Sequence, residues 1–263
     1  MFLVDVHAHL DVPQFEEDLD KVIERARKAG VNVIVAQGSN HESNLAVLEI
    51  ARKYPDLVKA SLGMYPIDCT NVPIKAELSG KYKRETKVDV DETLRFIEKM
   101  RYQIFAIGEV GIDMKYSDDL KTQQENFQKV IDLAKLIKKP MSVHTRQAEQ
   151  EVVEQLISSG YKKVCLHSFM GRKSVIKMAA DAGFYFSIPP IIVRNEQFQQ
   201  LVELVNINQL LTETDSPFLG PQANQRNEPV NVLESVKKIA EIKKFDVEET
   251  ANAIFSNYQR LFL

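Results

Sequence analysis

Short apolar runs alternate with longer amphipathic segments along nearly the whole sequence. The runs are strand-sized and number eight, at residues 2–10, 31–38, 57–66, 104–113, 141–145, 163–168, 183–188 and 208–215. Between them, apolar residues recur at three- and four-residue spacing, which is typical of amphipathic helices. A β-then-α alternation repeated in this way requires parallel strands joined by helical crossovers. A parallel sheet of eight such strands that closes on itself is a (β/α)8 TIM barrel. The chain of 263 residues fits this fold, for which roughly 250 residues is typical.

The helical segments predicted between the runs are Phe15–Ala29, Glu42–Lys53, Thr93–Tyr102, Gln123–Lys138, Ala148–Ser158, Lys173–Ala182 and Glu196–Val205. Two more, at about 230–243 and 246–262, follow the last strand and are expected to complete the barrel. The alternative is an open doubly wound sheet, but the GxGxxG turn that usually accompanies it is absent from the sequence. Because no linker or internal repeat interrupts the alternation, we expect one TIM-barrel domain over residues 1–263.

Composition excludes several classes of protein. No apolar run approaches the roughly 18 residues of a membrane-spanning helix, and the N-terminus lacks the basic region of a signal peptide. Cys69 and Cys165 lie far apart, which excludes a thiolate zinc cluster and predicts a reducing, cytoplasmic location. The net charge of −3 disfavours a protein that coats duplex nucleic acid through bulk positive charge.

Four of the five histidines fall at the ends of predicted strands. His7 and His9 are two residues apart on the first strand and therefore share a face, while His144 and His167 end the fifth and sixth strands. In a barrel, active sites form at the C-terminal strand ends. Each histidine alone is equally well read as a hydrogen-bonded core residue, and only the set indicates a metal site.

Two carboxylates complete the candidate set. Glu109, between glycines in AIGEVGID, is taken to end the fourth strand, and Asp215 ends the eighth run in TETDSP. Six nitrogen and oxygen ligands at one rim are typical of a binuclear centre for Zn²⁺, Mn²⁺ or Mg²⁺. The sequence therefore predicts two divalent metal ions, and the predicted ligands are His7, His9, Glu109, His144, His167 and Asp215.

The motifs around these residues resemble a known family. HAH (7–9), GEVGID (108–113), HTR (144–146), HSFMG (167–171) and TDSP (214–217) occur in this order, and RNEP (226–229) and NYQRLF (257–262) follow. Together they resemble the TatD family of metal-dependent deoxyribonucleases, within the amidohydrolase-like superfamily of barrels. The resemblance spans essentially the whole chain. It implies a 3′→5′ DNA exonuclease or phosphodiesterase that depends on a divalent metal.

The resemblance also implies roles for the ligands. Glu109 would bridge the two ions, in a position where several relatives have a carboxylated lysine. Asp215 is the natural acceptor for the proton of the attacking water, because one carboxylate oxygen can bind a metal while the other faces the nucleophile. Glu109 and Asp215 are thus the predicted catalytic residues. The implied grouping is His7, His9 and Asp215 at one ion and His144 and His167 at the other.

Four residues are candidates for substrate contact. Arg146 follows His144 by two residues and is placed to bind a phosphate oxygen, the alternative being a surface salt bridge. Tyr65 precedes Pro66 where family members commonly have His-Pro, so the position keeps a hydrogen-bond donor but loses a positive charge. Phe169 and Phe218 each stand near a ligand and are candidates for stacking on a base, with packing as the plainer alternative.

Single-stranded or end-accessible DNA is the predicted substrate, and no membrane partner is expected. The same ligands serve hydrolysis of a carbon ester or amide, such as the ester of a D-aminoacyl-tRNA, so this alternative stays open. A non-catalytic metal-binding barrel is the second alternative, although no ligand is missing. A serine hydrolase is unsupported because the sequence has no GxSxG elbow. The aperiodic segment 67–89 is either a functional lid or a surface excursion.

Overall fold

The computed structural model describes residues 1–70 and 88–263, and these residues form an eight-stranded parallel sheet in sequential order. Every strand pairs in parallel with the next along the chain. All eight predicted strands are present. The strands are Leu3–Ala8 (β1), Val31–Gln37 (β2), Val58–Leu62 (β3), Ala106–Asp113 (β4), Met141–Arg146 (β5), Val164–His167 (β6), Tyr185–Ile188 (β7) and Leu210–Thr212 (β8).

The seam between the last and the first strand is held by hydrogen bonds just beyond β8. The Asp215 amide donates to the His7 carbonyl at 2.8 Å, and the His9 amide donates to the Ser216 carbonyl at 2.9 Å. The sheet is therefore a nearly closed barrel, which confirms the predicted TIM-barrel architecture.

Nine α-helices lie in the described part of the chain, close to the predicted segments. The start of α1 differs most from its predicted position. Pro13 opens a separate 3-10 turn, Pro13–Phe15, and the buried Phe15 belongs to that turn instead of to the helix. The helices are Leu19–Lys28 (α1), His41–Lys53 (α2), Val90–Lys99 (α3), Leu120–Ile137 (α4), Glu149–Ser159 (α5), Lys173–Asp181 (α6), Glu196–Leu204 (α7), Val232–Lys243 (α8) and Val247–Phe262 (α9).

The strands are buried on both faces, as parallel strands covered by helices must be. Every residue of β1 and of β4 is buried. Cys165 is fully buried, as expected of a small core residue. Among the described residues, no helix combines the length and the apolar composition needed to cross a bilayer.

Most of the predicted aperiodic segment 67–89 lies outside the described residues. Its first part is a 3-10 turn, Pro66–Cys69, whose residues are buried. The Val88 amide donates to the Asp68 carbonyl at 3.0 Å, so the chain re-enters the described part beside the point at which it leaves it.

Candidate metal centre

The six predicted ligands meet at the C-terminal rim of the barrel, but two of them are not at strand ends. Glu109 lies in the middle of β4, because this strand continues four residues further to Asp113. Asp215 lies three residues beyond β8, in a turn. The other four predicted ligands are nearer to the strand ends: His7 is in β1, His9 directly follows it, His144 is two residues before the end of β5, and His167 ends β6.

Glu109 lies between two pairs of histidines. Its Oε1 is 2.7 Å from His144 Nδ1 and 3.3 Å from His167 Nε2. Its Oε2 is 3.4 Å from His9 Nε2 and 3.9 Å from His7 Nε2. One carboxylate oxygen therefore faces each pair, which is the arrangement that a bridging ligand needs.

Asp215 belongs to the His7 and His9 side of the site. Its Oδ1 is 3.6 Å from His7 Nε2 and 3.4 Å from His9 Nε2. Three overlapping groups of ligand atoms lie close enough to hold an ion, with all atoms of a group within 4.8 Å of one another. These groups are His7, His167 and Asp215; His7, His9 and Glu109; and Glu109, His144 and His167.

The donor set fits divalent cations. The facing nitrogens are 3.3 Å apart in the pair His7 and His9, and 3.2 Å apart in the pair His144 and His167. Two nitrogens bound at about 2.0–2.1 Å in tetrahedral geometry would be separated by about 3.3–3.4 Å, so both spacings suit a shared ion. Mixed imidazole and carboxylate donors suit Zn²⁺ and Mn²⁺ in particular.

The site's electrostatics favour an ionised Glu109 surrounded by imidazoles. Burial alone would raise the pKa of Glu109, but hydrogen bonds and charge from His144 and His167 hold it well below its ordinary value. Burial and the neighbouring His167 lower the pKa of His7. For His9 the effect of burial is overcome by the hydrogen bond to Asp215 and the charge of Glu109, which raise its pKa to about 9. Because ligating imidazoles must be neutral, metal binding here releases protons.

The sequence reading missed the residues that orient the ligands from behind. Ser142 Oγ is 2.9 Å from His7 Nδ1, and Asp113 Oδ2 is 3.2 Å from His144 Nε2. Glu213 Oε2 is 3.5 Å from His167 Nδ1. Outer partners of this kind fix the tautomer and the ring orientation of a ligating histidine.

A signal for two of these partners was present in the spacing. Ser142 precedes His144 by two residues within β5, and Asp113 follows Glu109 by four within β4. Glu213 lies beyond the end of β8, so strand spacing gives no signal for it. In a strand, even spacing places side chains on the same face. Polar residues at even spacing from a ligand on a buried strand were therefore the available indication.

Tyr65 and Arg146 lie at the rim beside the centre. The Tyr65 hydroxyl donates to Asp113 Oδ2 at 2.7 Å, and its ring centroid is 5.2 Å from that of His144. The Arg146 guanidinium lies over the ring of Tyr116, 5.4 Å from its centroid. Within the described part of the chain no carboxylate is within ion-pair distance of Arg146, so the structure does not show the alternative of a surface salt bridge there.

The two phenylalanines are placed differently. Phe169 is 1% exposed and packs edge-on against Phe186, with ring centroids 5.7 Å apart, so it lies in the core and offers no ring face to a base. The prediction of base stacking at Phe169 is thus not supported, because the chain turns its ring inward after β6. Phe218 is 52% exposed, and its ring centroid is 6.3 Å from that of His9.

A parallel barrel with histidine and carboxylate side chains gathered at its C-terminal rim is the architecture of metal-dependent hydrolases. A family model described as TatD related DNase matches residues 4–263. The chain belongs to the TatD family.

Named relatives match along the full chain. Human deoxyribonuclease TATDN3 is 36% identical over 265 residues, which cover 99% of this chain and 94% of the human one. The 3′-5′ ssDNA/RNA exonuclease TatD of Erwinia tasmaniensis is 29% identical, with 99% of both chains covered. The crystal structure of the TatD homologue YjjV from Escherichia coli superposes with a TM-score of 0.83 at 22% identity, covering 99% of this chain and 97% of that chain.

Proposed function

We propose that this protein is a deoxyribonuclease that removes nucleotides from the 3′ ends of single-stranded DNA with two divalent metal ions. The observation that carries the proposal is the position of Glu109, whose two carboxylate oxygens each face a separate pair of histidines. The names of the human and Erwinia relatives support DNA as the substrate and a 3′→5′ direction. The buried thiol of Cys165 suits a reducing compartment such as the cytoplasm.

The six ligands would hold the ions, with His7, His9 and Asp215 on one side of Glu109 and His144 and His167 on the other. A pair of divalent ions supplies a water nucleophile at neutral pH and neutralises charge on the leaving oxygen. Asp215 has its carboxylate at the open rim and accepts the proton of the attacking water.

Substrate binding falls to side chains around the rim. Arg146 carries a positive charge with no carboxylate partner in the described part of the chain, which suits a phosphate oxygen. The exposed ring of Phe218, beside His9, suits stacking on the terminal base. Tyr65 contributes through the hydrogen bond that holds Asp113 against His144.

The test uses metal-stripped protein with Mg²⁺, Mn²⁺ or Zn²⁺ added separately and 5′-labelled single-stranded DNA. We expect stepwise shortening of the label that requires metal and disappears in Glu109→Ala. Glu241→Ala is the matched control, because Glu241 pairs with Lys238 near the C-terminal end of α8, the end of the helix opposite to the rim. This variant should retain wild-type activity.

Two other outcomes would count against the proposal. A uniform loss of label in one step would indicate attack from the 5′ end. Absence of cleavage with every metal, while two ions still bind per chain, would shift the assignment to a carbon ester such as that of D-aminoacyl-tRNA. Hydrolysis of that ester would then be the next measurement.

A further inference from the structure

Asn227 is a buried polar residue in the loop between β8 and α8. Its side chain is fully buried. The amide nitrogen of the side chain donates two hydrogen bonds, to the carbonyls of Thr214 and Phe218, both at 2.7 Å. The backbone amide of Asn227 donates to the Pro217 carbonyl at 3.0 Å. One residue therefore holds both ends of the turn 214–218.

This turn carries Asp215 in an unfavourable backbone conformation. Asp215 has a φ of +51°, in the left-handed region that non-glycine residues rarely adopt. The Phe218 amide closes the turn by donating to the Asp215 carbonyl at 2.8 Å. Contacts from outside the turn are needed to keep such a conformation populated, and the Asn227 side chain supplies two of them.

Asn227 is itself held in place from both sides. Arg226 pairs with Asp18 at 2.7 Å, and Glu228 pairs with Arg25 at 2.7 Å, which ties the flanking residues to α1 and the turn before it. Asn231 Nδ2 donates to Asn227 Oδ1 at 2.8 Å. The Glu228 backbone amide donates to the same oxygen at 3.0 Å. These two bonds occupy the amide oxygen of Asn227, so its NH₂ group faces the two carbonyls of the turn.

We propose that Asn227 is a positioning residue for Asp215: it holds the turn so that the Asp215 carboxylate meets His7 and His9. Among the described residues, no hydrogen bond joins the Asn227 side chain to a ligand side chain, so Asn227 would act through the turn. The inference rests on the proposed function of Asp215 as a metal ligand and proton acceptor, and it assigns to the RNEP segment a role in the chemistry of the site.

Asn257 provides a matched control. It is also fully buried, and its Nδ2 likewise donates to two backbone carbonyls, those of Ile207 at 2.7 Å and Leu210 at 2.6 Å. These carbonyls lie at the start of β8, at the opposite end of the strand from Asp215. Alanine at either position removes two side-chain hydrogen bonds to backbone carbonyls, together with the bonds that the amide oxygen accepts. A purely structural role therefore predicts similar consequences for both.

The experiment compares Asn227→Ala with Asn257→Ala. Three quantities are measured: the melting temperature of the metal-free protein, the Mn²⁺ dissociation constant by calorimetry, and kcat and KM for bis(p-nitrophenyl) phosphate. We expect both variants to melt earlier than wild type. Asn227→Ala should also weaken Mn²⁺ binding and lower kcat by about 10- to 100-fold with little change in KM, as loss of a ligand's supporting partner does. Asn257→Ala should leave Mn²⁺ binding and kcat unchanged.

A double-mutant cycle with Asp215→Ala tests whether the effect passes through Asp215. We expect Asn227→Ala to lower kcat no further in the Asp215→Ala background. A further drop by the same factor, or equal losses of Mn²⁺ affinity in the Asn227 and Asn257 variants, would overturn the proposal. If Asn227→Ala does not fold, Asn227→Asp keeps the size of the side chain but cannot donate to the Thr214 and Phe218 carbonyls, and a Mn²⁺ affinity equal to wild type would then refute the proposal.

Failure of the proposed function gives a different result. A wild-type protein that binds Mn²⁺ but does not cleave the diester would contradict the phosphodiesterase assignment, while the Mn²⁺ affinities of the Asn227, Asn257 and Asp215 variants would still test positioning. A wild-type protein that binds no Mn²⁺ would contradict both the proposed function and the positioning role of Asn227.

Discussion

Replacement of Phe169 by alanine should destabilise the fold strongly, because its ring is part of the core. Phe169 is 1% exposed and packs against Phe186. The ring also lies against the backbone at Gly171, where an added Cβ would approach its Cε1 to 2.5 Å. Phenylalanine-to-alanine changes in cores cost about 3–5 kcal/mol. At roughly 2–4 °C per kcal/mol for a domain of this size, the melting temperature should fall by roughly 6–20 °C.

Phe218→Ala is the comparison, because the Phe218 side chain is exposed at the rim. Exposed substitutions usually change stability by about 0.5 kcal/mol or less. Stacking on a base is worth about 1–3 kcal/mol, so its loss should raise KM for single-stranded DNA by roughly 5- to 150-fold. The assays are thermal melting of the metal-free proteins and exonuclease kinetics. A Phe169→Ala protein that melts within about 2 °C of wild type and loses affinity for DNA would refute the assignment of Phe169 to the core.

Three further predictions concern the support of the ligands, an ion pair and a thiol. Ser142→Ala removes the hydroxyl 2.9 Å from His7 Nδ1 and should weaken Mn²⁺ binding about 10- to 100-fold by calorimetry. Ser235→Ala should leave this affinity unchanged, because Ser235 is buried in α8 and its Oγ has no hydrogen-bond partner in the described part of the chain. The hydrogen bond from Arg226 lowers the pKa of Asp18 from 3.8 to about 2, so Asp18 stabilises the fold above pH 3.8 and loses this effect as the pH falls toward 2. In urea unfolding, wild type should therefore exceed Asp18→Asn in stability at pH 7, and a difference that stays constant below pH 4 would contradict the assignment. Burial raises the pKa of the Cys165 thiol, so iodoacetamide at pH 8 should modify Cys165 only after unfolding, as mass spectrometry of the native and urea-treated protein will show.

The barrel could be predicted from the sequence because its signals are local. Every predicted strand is present, since short, nearly continuous apolar runs report directly on a strand covered on both faces. Boundaries were less accurate where backbone hydrogen bonds decide them. Pro13 begins a separate turn ahead of α1, and β8 ends at Thr212, three residues before the end of the predicted run 208–215.

The identities of the candidate ligands could also be predicted, and for a similar reason. Histidines and carboxylates near the ends of consecutive parallel strands must meet at one rim, whatever the details of packing. The sequence could not predict which residue hydrogen-bonds to each candidate ligand. Ser142 supports His7 across 135 positions of sequence, and Asp113 supports His144 across 31. No local pattern encodes such pairs.

The amino-acid sequence by itself thus determined the alternation of strands and helices, the barrel, and the chemical types gathered at its rim. The tertiary structure decided that Phe169 turns into the core while Phe218 faces solvent, and that Asp215 stands in a left-handed turn held by Asn227. The physical reason is that periodicity reports on which face of an element is buried. The direction of a side chain in a loop depends instead on hydrogen bonds and packing with residues distant along the chain.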